Sequence, residues 1–322
     1  IPGDPFTTHP ELWKGWNAFS GSGDVTSEVV YANYGRKQDF EELKRLGVNV
    51  KGKIVIARYG GNFRGYKAKF AEANGAIGLI IYTDPLDSGF TKGLVYPEGP
   101  FYNPSTIQRG SLLTANFTGD PLTPFEPALP LDGKKKIKRL DPNDAQLHTI
   151  PVSPIGYGEA EKILEQMKGN PVPQSWQGGL PFTYRLEGGQ SLLVRLKVDQ
   201  KIDFVRATNV IGLLEGSVAP DEWIILGCHL DSWGFGATDP SSGTAMLLSL
   251  SETLGILKDQ GYTPDRSILI GHWDAEEHGV IGSTEWVEQM REQLNAKGVV
   301  YMNFDGAVSG KGFGASAAPT LK

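Results

Sequence analysis

Short apolar runs punctuate the last third of the chain, and each leads directly into residues that can carry chemistry. Ile224-Ile225-Leu226, Ile268-Leu269-Ile270 and Val299-Val300-Tyr301-Met302 are three such runs. Runs this short, without polar alternation and separated by helical segments, predict buried strands of a parallel sheet. Asn209 to Leu214 predicts a further strand. Between the runs, Ser242 to Leu257 carries Met246, Leu247, Leu250, Leu254 and Leu257 at helical spacing. Ser283 to Leu294 predicts a second helix, capped by Ser283, with Trp286, Val287, Met290 and Leu294 facing inward. Strand and helix in alternation predict a doubly wound α/β domain.

The texture upstream differs. From about 23 to 206, short runs such as Val29-Val30-Tyr31, Lys53 to Ala57 and Ile77 to Tyr82 are broken by many glycine and proline turns, which predicts a β-rich insertion. Helices are expected there over Tyr66 to Asn74 and Gly158 to Met167. The first 22 residues are rich in proline, glycine and tryptophan without a clear period, and they predict a lead-in that wraps over another part of the protein.

Open parallel sheets bind ligands just outside the carboxyl ends of their strands. Here those ends are followed by His229, Asp231 and Asp239, by Glu276 and Glu277, and by Asp305. Imidazole nitrogen and carboxylate oxygen are the ligands zinc takes in hydrolytic sites. Two zinc ions about 3.5–4 Å apart need a bridging carboxylate, and Asp239, just before Pro240, is the candidate. Asp231 is placed to hold the second ring nitrogen of His229. Of the adjacent glutamates, Glu277 is assigned to metal and Glu276 to the general base that takes a proton from water. Taken singly, each acid reads as readily as a loop solvator or helix cap. Their order at successive strand ends favours a metal site.

Composition narrows the function classes. With 322 residues, 39% of them apolar, the chain is long enough for more than one domain, and a net charge of −6 without a basic helix disfavours nucleic acid as a partner. The basic cluster Lys134-Lys135-Lys136 with Lys138 and Arg139 reads as a solvated loop. Cys228 is the only cysteine, so no intrachain disulfide forms, and its place at the end of an apolar run reads as a buried thiol rather than a nucleophile. No stretch reads as a transmembrane span. A first residue of Ile1 rather than Met leads us to expect that a leader or anchor has been removed, and hence an extracellular, periplasmic or membrane-anchored ectodomain.

Several longer motifs carry a resemblance. His229 to Trp233, Asp239-Pro240, Trp273-Asp274-Ala275-Glu276-Glu277, Gly282 to Trp286 and Asn303-Phe304-Asp305 resemble the glutamate carboxypeptidase II family of zinc peptidases, which includes prostate-specific membrane antigen and the transferrin receptor. Upstream, Gly52 to Gly60, Phe63-Arg64-Gly65, Gly119 to Pro124 and Ile150 to Tyr157 extend the likeness over nearly the whole chain. The resemblance implies an aminopeptidase-like mixed sheet with helices on both faces, interrupted by a protease-associated apical domain: 1–22 and 207–322 in the peptidase domain, 23–206 apical. It implies His229 and Asp305 on one zinc, Glu277 on the other, Asp239 bridging them and Glu276 as base. It also implies a structural calcium joining the two domains through Thr123 and Glu126 of the apical segment with Glu285 and Glu288, and Arg64 on the C-terminal carboxylate of a peptide substrate.

The sequence also departs from that pattern. The family's last zinc ligand is a histidine well beyond Asp305, and none of His9, His148, His272 or His278 replaces it convincingly. One zinc site is therefore expected to lack a ligand here, and this stretch alone to be inactive or weak. The helical region that forms the family's homodimer is likewise not represented. The resemblance implies a carboxypeptidase that releases C-terminal glutamate or a similar residue, although Ser111 stands where the acidic-substrate enzymes have asparagine. Two other readings stay open: an aminopeptidase of the same fold, and a non-catalytic binding module like the transferrin receptor.

Overall fold

The computed structural model describes residues 4–308 and 310–321. The chain divides into two compact units, one made of Trp13–Asn116 and Leu140–Phe204, the other of the chain up to Leu12, Phe117–Arg139 and everything from Val205 onward. This differs from a single continuous 23–206 insertion. Residues 13–22 group with the first unit, and Phe117–Arg139 with the second.

In the first unit, strands β1 (Gly23–Tyr31), β2 (Ile54–Arg58), β3 (Gly78–Tyr82), β4 (Val152–Ile155) and β5 (Leu193–Val198) form one sheet in the order β4-β3-β2-β1-β5. The first four run parallel, and β5 is antiparallel to β1. β2 and β3 are buried at every residue, as expected for the centre of a sheet covered on both faces. Helices α2 (Arg64–Ala73) and α3 (Tyr157–Leu164) stand close to the two expected there, and the unit adds α1 (Lys37–Arg45) and a single helical turn over Pro85–Ser88. α1 gives little apolar signal in the sequence, because Phe40 and Leu43 are its only buried apolar residues.

The second unit holds β6 (Val210–Leu214), β7 (Ala219–His229), β8 (Arg266–Trp273) and β9 (Gly298–Asn303), in the order β9-β7-β8-β6. β9, β7 and β8 are parallel, while β6 runs antiparallel to β8, so the sheet is mixed. The last five residues of both β7 and β8 are buried, so the core extends to their carboxyl ends at His229 and Trp273 and the loops that follow begin at its border. β9, expected to be buried, is not: Val299 is 53% and Met302 42% exposed. As an edge strand it is paired only with β7 among the described residues.

Helix α4 (Ser241–Asp259) packs Leu247, Leu250 and Leu254 against Leu226, Cys228 and Ile270. Met246 and Leu257, expected on the same inward face, are more than a third exposed. The second expected helix is two: α5 (Ile281–Gln289) and α6 (Arg291–Lys297), separated at Met290 (φ −100°, ψ 13°). Nor does Ser283 cap it. The cap position is Val280, in the left-handed conformation at φ 57°, and the helix begins early because the Gly282 N–H donates to Asp274 C=O at the end of β8. Residues 4–12 of the lead-in pack within this unit, with the rings of Phe6 and His9 edge-on to Phe235.

Candidate metal centre

His229 is the last residue of β7 and is only 2% exposed. Its Nδ1 lies 2.8 Å from the backbone carbonyl of Asp231, which holds that nitrogen as a donor and turns Nε2 toward the acids. Nε2 is 2.8 Å from Asp239 Oδ1, 3.9 Å from Asp305 Oδ1 and 4.0 Å from Glu276 Oε2. The structure therefore brings together around one imidazole nitrogen three carboxylates from three different strand ends.

Asp231 does more than orient the histidine. Its carboxylate accepts the backbone N–H groups of both Glu276 (2.9 Å) and Glu277 (3.2 Å), tying the loop after β7 to the loop after β8. The residue before the glutamates, Ala275, is left-handed at φ 56°. Backbone strain of that kind persists where surrounding bonds over-determine it, and the Asp231 carboxylate supplies such bonds here. Spacing alone pointed to Asp231 as the partner of His229; its grip on the glutamate turn had no signal in sequence, since it depends on the register of β7 against β8.

The electrostatics record an excess of negative charge. Burial works against protonation of His229, but the bond to Asp231 and the charges of Glu276 and Asp305 outweigh it and raise its pKa to about 9. Burial, joined by the charges of Glu276 and Asp239, lifts Glu277 to about 7. Glu276 is likewise raised, first by burial and then by Asp305, although His229 pulls it down. Asp231 is lowered despite its burial, because His229 and the two glutamate amides stabilise its charge. Acids that hold protons this strongly are short of a compensating cation.

Among the described residues, no three His, Cys, Asp or Glu side chains stand as a closed coordination cluster. The His229 Nε2–H is engaged by Asp239, whose side chain is 65% exposed. The donors fit zinc in kind, one imidazole and several carboxylates, and the unneutralised charge fits a dication. A cavity of about 700 Å³ opens beside His229, Glu276 and Asp305, walled by Trp273, Trp286 and Tyr301. Within it the Trp273 indole donates to Tyr301 Oη (3.0 Å), which donates to Asn303 (2.6 Å). Cys228 is a buried free thiol with its pKa raised by burial, in keeping with a structural role. His272 lies within β8, and the Trp233 ring packs on His278 with centroids 5.0 Å apart.

The four residues associated with calcium lie together in the second unit rather than across two domains. The expectation that Thr123 and Glu126 are apical is corrected, because residues 117–139 pack with α5. Glu285 accepts the N–H groups of Asp120 (2.7 Å) and Ala128. Thr123 Oγ1 and Glu288 Oε2 are buried without a hydrogen-bond partner among the described residues. Burial and the Glu285 charge raise Glu288 to about 7. Orphaned buried oxygens next to an acid held near neutrality suit a hard cation.

Arg64, the first residue of α2, donates from Nη1 to the Ser111 carbonyl at 3.2 Å, and its guanidinium lies 5.1 Å from the Phe63 ring centre. Its Nε is buried without a hydrogen-bond partner among the described residues. Gly110 makes room for it, since a Cβ there would lie 2.2 Å from Arg64 Cζ.

Comparison with known proteins separates the two units by family. Residues 209–314 match the model of peptidase family M28, and residues 25–111 match that of the PA domain. A glutamate carboxypeptidase 2 homolog from Caenorhabditis briggsae is 39% identical over 317 residues, covering 95% of this chain and 41% of the relative. Aminopeptidase NAALADL1 from Rattus norvegicus is also 39% identical, over 92% of this chain and 40% of its own length. The solved zinc aminopeptidase from Bacillus subtilis aligns with a TM-score of 0.46 at 21% identity, over 88% of this chain and 49% of that one. The chain thus spans about 40% of the length of the curated relatives it matches.

Proposed function

Because the chain belongs to peptidase family M28 over 209–314, carries a PA domain over 25–111 and resembles the glutamate carboxypeptidases, we propose that it is part of a co-catalytic two-zinc metallopeptidase that hydrolyses a peptide bond. The observation that carries the reading is the convergence on His229 Nε2 of Asp239, Asp305 and Glu276, each within 4.0 Å. His229 and Asp305 would hold one zinc, Glu277 the other, and Asp239 both. Zinc bound there supplies Lewis acidity, which lowers the pKa of water and polarises a carbonyl.

The chain's own groups do the rest. Asp231 fixes the imidazole through its carbonyl and the glutamate turn through its carboxylate. Glu276, whose proton affinity is raised by burial, takes the proton of the attacking water and returns it to the leaving amine. In the full-length protein, replacing it as Glu276→Gln is expected to lower turnover by on the order of 10²–10⁴-fold while zinc content, read by elemental analysis, stays that of the parent. Parental turnover in the variant would take Glu276 out of the role.

The proposed substrate is a peptide with a free C-terminal carboxylate, which Arg64 would engage in two places through its planar fork. A second reading has equal sequence support, because the aminopeptidase relative is as similar as the carboxypeptidase one. N-acetylated and C-amidated dipeptides separate them: the carboxypeptidase cleaves the first, the aminopeptidase only the second. A binding module without catalysis corresponds to a chain that takes up no zinc. We also assign calcium to Thr123, Glu126, Glu285 and Glu288. No helix among the described residues is long and apolar enough to cross a membrane; a secreted or anchored ectodomain remains our proposal.

A further inference from the structure

The loops that carry Asp239 and Asp305 meet at a single hydroxyl. Ser242, in the first turn of α4, donates its Oγ–H to the Thr238 carbonyl at 2.5 Å and accepts the Ala307 N–H at 2.9 Å. Thr238 is the residue before Asp239, and Ala307 lies two residues after Asp305. A serine hydroxyl is one donor and two acceptors, so both bonds form at once without competition. We propose that Ser242 is a positioning residue, a clasp that sets the spacing of the Asp239 and Asp305 carboxylates toward a shared metal.

Three observations support a clasp over an incidental helix-start bond. A serine bonding back to the carbonyl four residues earlier is common in helices, but that accounts for one of the two bonds only. The Ala307 amide comes from the segment that follows the neighbouring strand β9, 65 positions along the chain. Next to Ser242, Gly243 has its Cα so close to this same segment that a Cβ would sit 1.4 Å from the Phe304 carbonyl oxygen. The Thr244 hydroxyl, one further on, donates to the His229 carbonyl at 3.0 Å. Three consecutive residues of one helical turn thus touch the backbone of all three segments bearing His229, Asp239 and Asp305, and of their side chains that of Ser242 is the one that joins the Asp239 segment to the Asp305 segment.

The inference rests on the zinc reading, and its test has an arm that does not. In the full 322-residue chain, Ser242→Ala and Ser242→Thr are compared with the parent by chelator competition for zinc and, without metal, by amide hydrogen exchange at Ala307. The alanine variant is expected to weaken zinc affinity by on the order of tenfold and to lose Ala307 protection, and the threonine variant to restore both. Parental affinity and protection in Ser242→Ala would overturn the clasp. If the parent takes up no zinc, the metal reading fails, and the Ala307 amide alone decides: retained protection in the alanine variant ends the proposal, and lost protection rescued by threonine upholds it.

Discussion

His229 shows how far one side chain's protonation can report on a site. Its pKa in the folded chain is raised from 6.5 to about 9, so folding takes up a proton that the unfolded chain releases. That contribution to stability is complete below about pH 6.5 and is lost as pH rises through about 9. Glu277, raised from 4.5 to about 7, acts in the same direction, because its protonated form is the one the fold favours. The metal-free chain should therefore show a urea midpoint that falls steadily from about pH 5 to about pH 9.5; a midpoint that rises over that span would contradict the charge picture. With zinc the sense reverses, since binding displaces these protons and tightens as pH rises. The convergence of His229, Asp239, Glu276 and Asp305 was legible in the sequence because each ends or follows a strand. Asp231's second role and Ser242 were not, because both depend on which loops the sheet order makes neighbours.

At the level of elements, strands were read more surely than helix ends. β2, β3, β7 and β8 announced themselves because continuous apolar runs have few other readings. The break at Met290 had no local sign, neither glycine nor proline, and the early start of α5 reflects the docking of Gly282 on the end of β8. Helix α4 is the element that sets the site. Gly243→Ala, with no space for its Cβ beside the Phe304 carbonyl, should destabilise the chain by at least about 1–3 kcal/mol in denaturant unfolding and displace Asp305; an unchanged midpoint would mean that the Phe304 segment moves aside freely. Helix α5 carries the other proposed ion site. Calcium at about a hundredfold over its Kd should stabilise the chain by about 2–3 kcal/mol, and Glu288→Gln should abolish most of that gain, both read by thermal unfolding. A parent whose melting ignores calcium would remove the site.

For the molecule as a whole, composition and texture foretold two bodies but not their bounds. A contiguous apical segment over 23–206 was the simplest partition of the text, whereas residues 117–139 group with the second unit and bond helix α5 through Glu285. No run of residues announces that, because the bonds that bind Asp120 and Ala128 go to a carboxylate more than 150 positions away. The same sheet has one further property. β9 offers an outer row of backbone donors and acceptors with no partner strand among the described residues, and its side chains Val299, Tyr301 and Met302 are each more than 40% exposed. Such an edge is a template for any extended chain that meets it, including another copy. Purified at the bench, this polypeptide should be monomeric only when dilute, its light-scattering mass climbing with concentration, and a lysine in place of Val299 should hold it in solution.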